Sequence, residues 1–100
     1  MKEADKALKF LQAGHSNAIS RAELSEKLGI SDRKARQHIE DLRNDGHLIL
    51  NLGSGYYIAD PEEDIEQINQ FYWQERARAL SNLKRLKVMR KLLKEKGYRV

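Results

Sequence analysis

The chain has 100 residues, 34 % of them charged and 40 % hydrophobic, with a formal net charge of +4 and no cysteine. That length supports one modest core, the composition excludes a disordered chain, and the missing cysteine excludes disulfides and thiolate metal sites. No apolar run approaches the roughly 20 residues of a membrane span, and "MKEADKALKF" lacks a signal-peptide stretch, so a cytoplasmic location without membrane contact is expected.

Ala4, Ala7, Leu8 and Leu11 fall at i, i+3, i+4 and i+7, which predicts a first helix ended by Gly14 and a polar loop at "HSNA". "SRAE" then reads as a capping box, with Ser20 taking the Glu23 amide and the Glu23 side chain reaching back to residue 20. A short second helix follows to Leu28, with Leu24 and Leu28 inward. In "GIS", Gly29 permits a sharp helix exit, Ile30 plugs the corner and Ser31 caps the next helix. That third helix runs from about Asp32 to Asn44, burying Ala35, Ile39 and Leu42, and "NDG" stops it. Two helices joined by so tight a turn make a helix-turn-helix unit.

"HLIL" and "YYIA" are β-prone runs separated by "NLGSG", which predicts a hairpin with a four- or five-residue loop. Leu48, Leu50, Tyr56 and Ile58 are expected to face the helices, with a short strand at Ala18-Ile19 along the hairpin edge. Asp60-Pro61 then starts a fourth helix, with Asp as its cap, of roughly 35 residues and about 50 Å. Ile65, Ile68, Tyr72, Ala79, Leu83, Leu86 and Leu93 trace an apolar stripe along it at about 3.5-residue spacing, widened by Phe71, Trp73, Leu80 and Met89. A small domain cannot cover a stripe that long, so those seven residues are the expected interface of a homodimer. A break near Ser81-Asn82, with the end folding back, is the alternative. The fold class is thus mainly α with a small β-hairpin, a three-helix unit over residues 1–60 followed by a long basic helix over 61–100.

Charge follows the same division. Residues 1–60 hold nine Lys/Arg and nine Asp/Glu, whereas 61–100 hold ten against six. The basic end fits a polyanion, or a solvated helix end whose cations complement the macrodipole.

The stretch "ISRAELSEKLGISDRKARQHIEDLRNDGHLILNLGSGYYIA" resembles the winged helix-turn-helix domain of biotin-repressor-type and related bacterial and phage regulators. Leu24, Leu28, Gly29, Ile30, Ser31, Ile39, Leu42, Gly46, Ile49, Gly55, Tyr56 and Ile58 fill the places of its pattern: a helix and turn, a recognition helix ending in "L-x-x-x-G", an apolar strand, a Gly-rich wing and a "G-Y-x-[IL]" strand. The likeness covers residues 4 to 59; the long helix lies outside it, and with the small size it resembles phage and prophage proteins. Ser25, Lys34 and Ala35 depart from the family's usual Ala, Thr and β-branched residue.

The resemblance implies sequence-specific binding of double-stranded DNA by a transcriptional regulator or a phage or plasmid replication accessory, with the recognition helix at about 32–44 in the major groove. Exposed donors near the start of that helix would carry it: Arg33 or Arg36 on guanine, Gln37 on adenine, Ser31 and Lys34 on phosphates. The wing "NLGSGYY" holds no Lys or Arg, leaving Asn51, Ser54 and backbone amides as its contacts. Arg85, Lys87, Lys91 and Lys94 supply auxiliary phosphate contacts from the tail. The alternative is a protein-interaction or assembly module working through the fourth helix, with a protein partner on its apolar face.

Other chemistries lack support. His15, His38 and His47 match no compact ligand spacing, so no metal or cofactor is expected, and His38 and His47 read as a packed helix residue and a strand-edge residue. Glu40-Asp41 and Glu62-Glu63-Asp64 are neighbours that point apart rather than acid/base pairs, and "GSG" is a hairpin tip rather than a phosphate loop. Tyr56, Tyr57, Tyr72 and Trp73 read as packing residues rather than base-stacking ones. No enzymatic activity is expected.

Overall fold

Two serines begin the helix-turn-helix. In the computed structural model, which describes residues 2–100, Ser20 Oγ accepts the Glu23 amide and Ser31 Oγ accepts the Lys34 amide, each at 3.1 Å. They cap α1 (Arg21–Leu28) and α2 (Asp32–Asn44). Gly29 turns the chain between them at φ +65°, a left-handed conformation that costs glycine little. The Glu23 carboxylate does not return to Ser20; it lies 3.9 Å from Lys27 Nζ, so the box has only its first half.

The first segment differs from expectation. It is a 3-10 helix, Glu3–Phe10, whose chain is already extended at Leu11 rather than continuing to Gly14. With three residues per turn, Ala4 and Ala7 stack on one line, and both are buried. It stops early because residues 12–14 join the sheet edge: Ile58 donates to the Gln12 carbonyl at 2.9 Å and Gly14 donates to the Ile58 carbonyl at 3.0 Å. "HSN" forms a 3-10 turn rather than an open loop, held by Asn17 Nδ2 on the Ala13 carbonyl at 2.9 Å.

The hairpin pairs β1 (Ile49–Leu50) with β2 (Tyr57–Ile58), Ile49 opposite Ile58 and Leu50 opposite Tyr57. That register leaves residues 51–56 as the loop, longer than expected. Ile19 pairs antiparallel with Tyr56, as expected of the edge segment. The assignment of faces needs correction. Leu48 is 40 % exposed, while Ile49, Leu50, Tyr56 and Tyr57 are all buried. Ile49 and Tyr56, with Ile58 beside them, pack into the core of Ala4, Ala7, Leu11, Ile19, Leu24, Ile39 and Leu42. Leu50, Tyr57 and Ala59 form a second cluster with Ala18, Ile68 and Phe71. The hairpin therefore lies between the helical bundle and the start of the last helix, with apolar residues on both faces. Burial above all, and the Asp64 carboxylate second, raise the pKa of the enclosed Tyr57 hydroxyl.

That last helix, α3, spans Ile65–Glu95 and runs unbroken through Ser81-Asn82. A separate turn over 61–64 precedes it, where a helix start at Pro61 was expected. Asp60 Oδ1 accepts the amides of Glu62 and Glu63 at 2.8 and 3.1 Å, and the buried Asp64 carboxylate accepts the Asp60 amide at 2.8 Å. The amides of Glu63 and then Glu62 lower the Asp60 pKa from its ordinary 3.8. A depressed carboxylate stabilises the fold above its ordinary pKa and loses that contribution as pH falls through the folded value. Asp60→Ala is therefore expected to lower the melting temperature at pH 7, and the gap from the parent should narrow in melts below about pH 3.8.

Ile68 was expected on a dimer interface but packs on the hairpin of its own chain, because α3 uses its first two turns to close the second cluster. Beyond Phe71, every residue from Tyr72 to Val100 is exposed. No helix among the described residues is long and apolar enough to cross a membrane.

Candidate nucleic-acid interface

α2 has two dissimilar sides. Ala35, His38, Ile39 and Leu42 are buried against the bundle, while Asp32, Arg33, Lys34, Arg36, Gln37 and Glu40 are exposed. Ser31, Arg33, Lys34 and Gln37 line one shallow depression of about 360 Å³ at the amino-terminal end of the helix. Arg36 lies apart from them and lines, with Asn51, a cleft between α2, the hairpin and α3. Ser54 is exposed at the hairpin tip and lines neither.

Hydrogen bonding separates the candidates further. Lys34 Nζ stands 3.9 Å from Glu3 Oε2, and Gln37 Nε2 donates to Asp41 Oδ1 at 3.0 Å. Asn51 Oδ1 accepts the Gly53 amide at 3.0 Å, so this side chain shapes the loop and keeps only its NH₂ group available. Arg33 and Arg36 have no ion pair among the described residues. They are the least encumbered donors on the helix.

The acids of α2 are largely engaged. Arg21 Nε donates to Asp32 Oδ1 at 2.8 Å; that bond and the attraction between the two charges raise the Arg21 pKa. Arg43 donates from one terminal nitrogen to Glu40 Oε1 at 3.1 Å and from Nε to the Ile49 carbonyl at 2.9 Å. Its guanidinium also lies 5.1 Å from the Phe71 ring centre and 5.8 Å from that of Tyr56. Arg43 thereby ties α2, β1 and α3 together. Arg21 and Arg43 were missed in the sequence because Asp32, for the one, and Ile49, Tyr56 and Phe71, for the other, reach them from other elements, and apolar periodicity carries no signal for such contacts.

On α3, Lys87, Lys91 and Lys94 share a patch with Arg90 that opens onto about 400 Å³, with no acid along it. Arg85 turns back on its own helix, 3.4 Å from Asn82 Oδ1 and 3.5 Å from Ser81 Oγ. The histidines stay separate: His38 is buried behind α2, His15 Nδ1 lies 3.5 Å from Asp64 Oδ1, and His47 is exposed. Among the described residues no group of three or more His, Asp or Glu side chains is placed to hold a metal ion. Tyr56 and Tyr57 are buried, whereas Tyr72 and Trp73 are exposed and meet edge-to-face at 5.2 Å between ring centres.

A family model described as an HTH domain matches residues 4–57. The chain belongs to this helix-turn-helix family. The matched span takes in the 3-10 helix, α1, α2, β1 and the start of β2, and a domain of this family is a DNA-binding one. No curated protein and no solved structure matches the chain. In this helix-turn-helix domain, α2 is the second helix of the motif.

Proposed function

We propose that this helix-turn-helix protein binds double-stranded DNA sequence-specifically, with α2 in the major groove, as a small transcriptional regulator or an accessory of phage or plasmid replication in the cytoplasm. One observation carries this reading: Arg33 and Arg36 project from the solvent side of α2 without carboxylate partners among the described residues, on a helix whose opposite side is locked into the core. Each guanidinium can grip a guanine bidentately. Gln37 reads adenine by exchanging Asp41 for a base edge, and Ser31 and Lys34 hold phosphates. Asn51 and Ser54 supply uncharged donors from the wing. The "G-Y-x-I" end of the wing supports kinship with biotin-repressor-type regulators.

Residues 1–60 act as the DNA-binding unit and 61–100 as the dimer element in this reading. Ile65, Tyr72, Ala79, Leu83, Leu86 and Leu93 meet a second copy, and Lys87, Lys91 and Lys94 with Arg85 reach phosphates. Support comes from Leu83 and Leu86, which are 52 % and 55 % exposed on a helix with no cover of its own past Phe71. The same exposure favours a second reading, an assembly module whose α3 docks on a different protein.

The test is fluorescence anisotropy of a labelled duplex at about 50 and 200 mM salt, where release of counterions is steep. Binding should weaken at least about tenfold between them. Absence of binding at micromolar protein would remove the DNA reading and leave the assembly module. Leu83→Asp with Leu86→Asp is expected to shift the protein from dimer to monomer mass in light scattering. A parent that is already monomeric would remove the homodimer.

A further inference from the structure

We infer that α3 is part of the DNA surface: Gln74 and Arg78, together with Arg21 of α1, hold the phosphate backbone beside the groove that α2 enters. The inference rests on the DNA reading above and adds a second set of phosphate contacts, on α1 and the amino-terminal half of α3, to those proposed for the tail.

The cleft between α2, the hairpin and α3, about 280 Å³ in volume, is lined by arginines from three helices: Arg21, Arg36, Arg43 and Arg78. Its two acids are Glu40 and Glu75, and each is held by the arginine three residues further on, Arg43 and Arg78, at 3.1 Å. With Asp32 on Arg21, four cations stand against three carboxylates, and one positive charge remains at the cleft, that of Arg36. The contacts already made do not exhaust the donors. A guanidinium carries five N–H groups. Arg21 spends Nε on Asp32, and Arg78 spends one terminal nitrogen on Glu75 in an exposed pair of the kind that contributes little to stability. Arg36 spends none on a carboxylate among the described residues. Gln74 adds an amide on the same wall.

The arrangement suits a linear polyanion rather than a single small anion. A site for one anion converges its donors in an enclosed pocket. Here they stand along an open wall, and Gln74, Arg78 and Arg85 repeat at i, i+4 and i+11 on one face of α3, a row of about 16 Å. The row begins beside α2, because Arg36 of α2 and Gln74 and Arg78 of α3 face the same cleft. It also accounts for the wing. The hairpin tip has no cation, and the helix packed on that hairpin through Ile68 and Phe71 brings cations to its flank instead.

The experiment uses the full chain and a labelled duplex, with log affinity followed against log salt between about 50 and 200 mM. Arg78→Ala removes an exposed side chain, and its melt should match the parent. It is expected to weaken binding at low salt about five- to tenfold and to reduce the salt slope by about 0.9, the share of one phosphate contact. Arg78→Lys should keep the slope, and Arg21→Ala should reproduce the loss. Lys6→Ala, an equal loss of charge on the exposed 3-10 helix, should change affinity less than about twofold. If the parent binds and Arg78→Ala cannot be told from Lys6→Ala, the Gln74–Arg78 wall of α3 is not part of the DNA surface, though the DNA reading stands. A parent that does not bind overturns both.

Discussion

Gly55→Ala is expected to destabilise the domain by about 4 kcal/mol, in the range reserved for mutations that force backbone apart. An added Cβ would sit 2.5 Å from the Ile19 carbonyl oxygen, 2.6 Å from its carbon and 3.0 Å from the Ser20 nitrogen. All three are main-chain atoms, so no rotamer change relieves the contact. They are also held in place. Ile19 and Tyr56 exchange backbone hydrogen bonds of 2.9 and 2.7 Å, and Ser20 caps α1. Moving the strand away from Ile19 would give up the edge pairing and disturb the start of the helix-turn-helix. Gly55 further sits at φ +116°, where an L-residue is strained. Gly53 separates the two causes: its φ is +110°, but an added Cβ there meets nothing within 4 Å. Gly53→Ala should therefore cost only the dihedral strain, about 1 to 3 kcal/mol. In thermal melts the Gly55 variant should fall by roughly 20 °C and the Gly53 variant by markedly less. Equal shifts would mean that the edge segment yields without cost.

The same close approach shows where sequence reasoning reaches its range. The two serine caps, the Gly29 turn and the bounds of α2 were legible because each depends on residues within four of one another, whereas Asp60 caps a separate turn and not the last helix. The faces of the hairpin were not. "HLIL" is apolar at three successive positions, so alternation cannot choose between Leu48 with Leu50 and Ile49 alone. The choice belongs to Ile68 and Phe71, which arrive from α3 and cover a second face. The early end of the first helix has a similar origin, since residues 12–14 are drawn to Ile58, more than forty positions away in the chain. On the candidate interface, the cationic start of α2 was readable from residue type and helical phase. What each cation is tied to was not, because Glu3 reaches Lys34 and Arg21 reaches Asp32 only through the packing of three helices.

Those pairings rank the side chains of α2 and give the second large effect. Arg33→Ala with Arg36→Ala is expected to weaken specific duplex binding about a hundred- to a thousandfold, since each bidentate contact to guanine is worth about 1 to 3 kcal/mol. Neither arginine has an ion pair among the described residues, so neither truncation leaves a carboxylate stranded, and neither touches the buried side formed by Ala35, Ile39 and Leu42. The melt should be unchanged within about 0.5 kcal/mol, as for surface positions generally. Lys34→Ala provides the contrast. Its loss removes a point charge already shared with Glu3, so affinity should fall less than about tenfold and by the same factor on every sequence. Selection of bound duplexes from a random pool separates the roles: the single arginine variants should relax base preference at different positions, while the lysine variant keeps the parent's preference. An arginine pair whose removal lowers affinity uniformly, with base preference intact, would be holding phosphates. The base reading would then have to move along α2 to Gln37, whose amide must first leave Asp41.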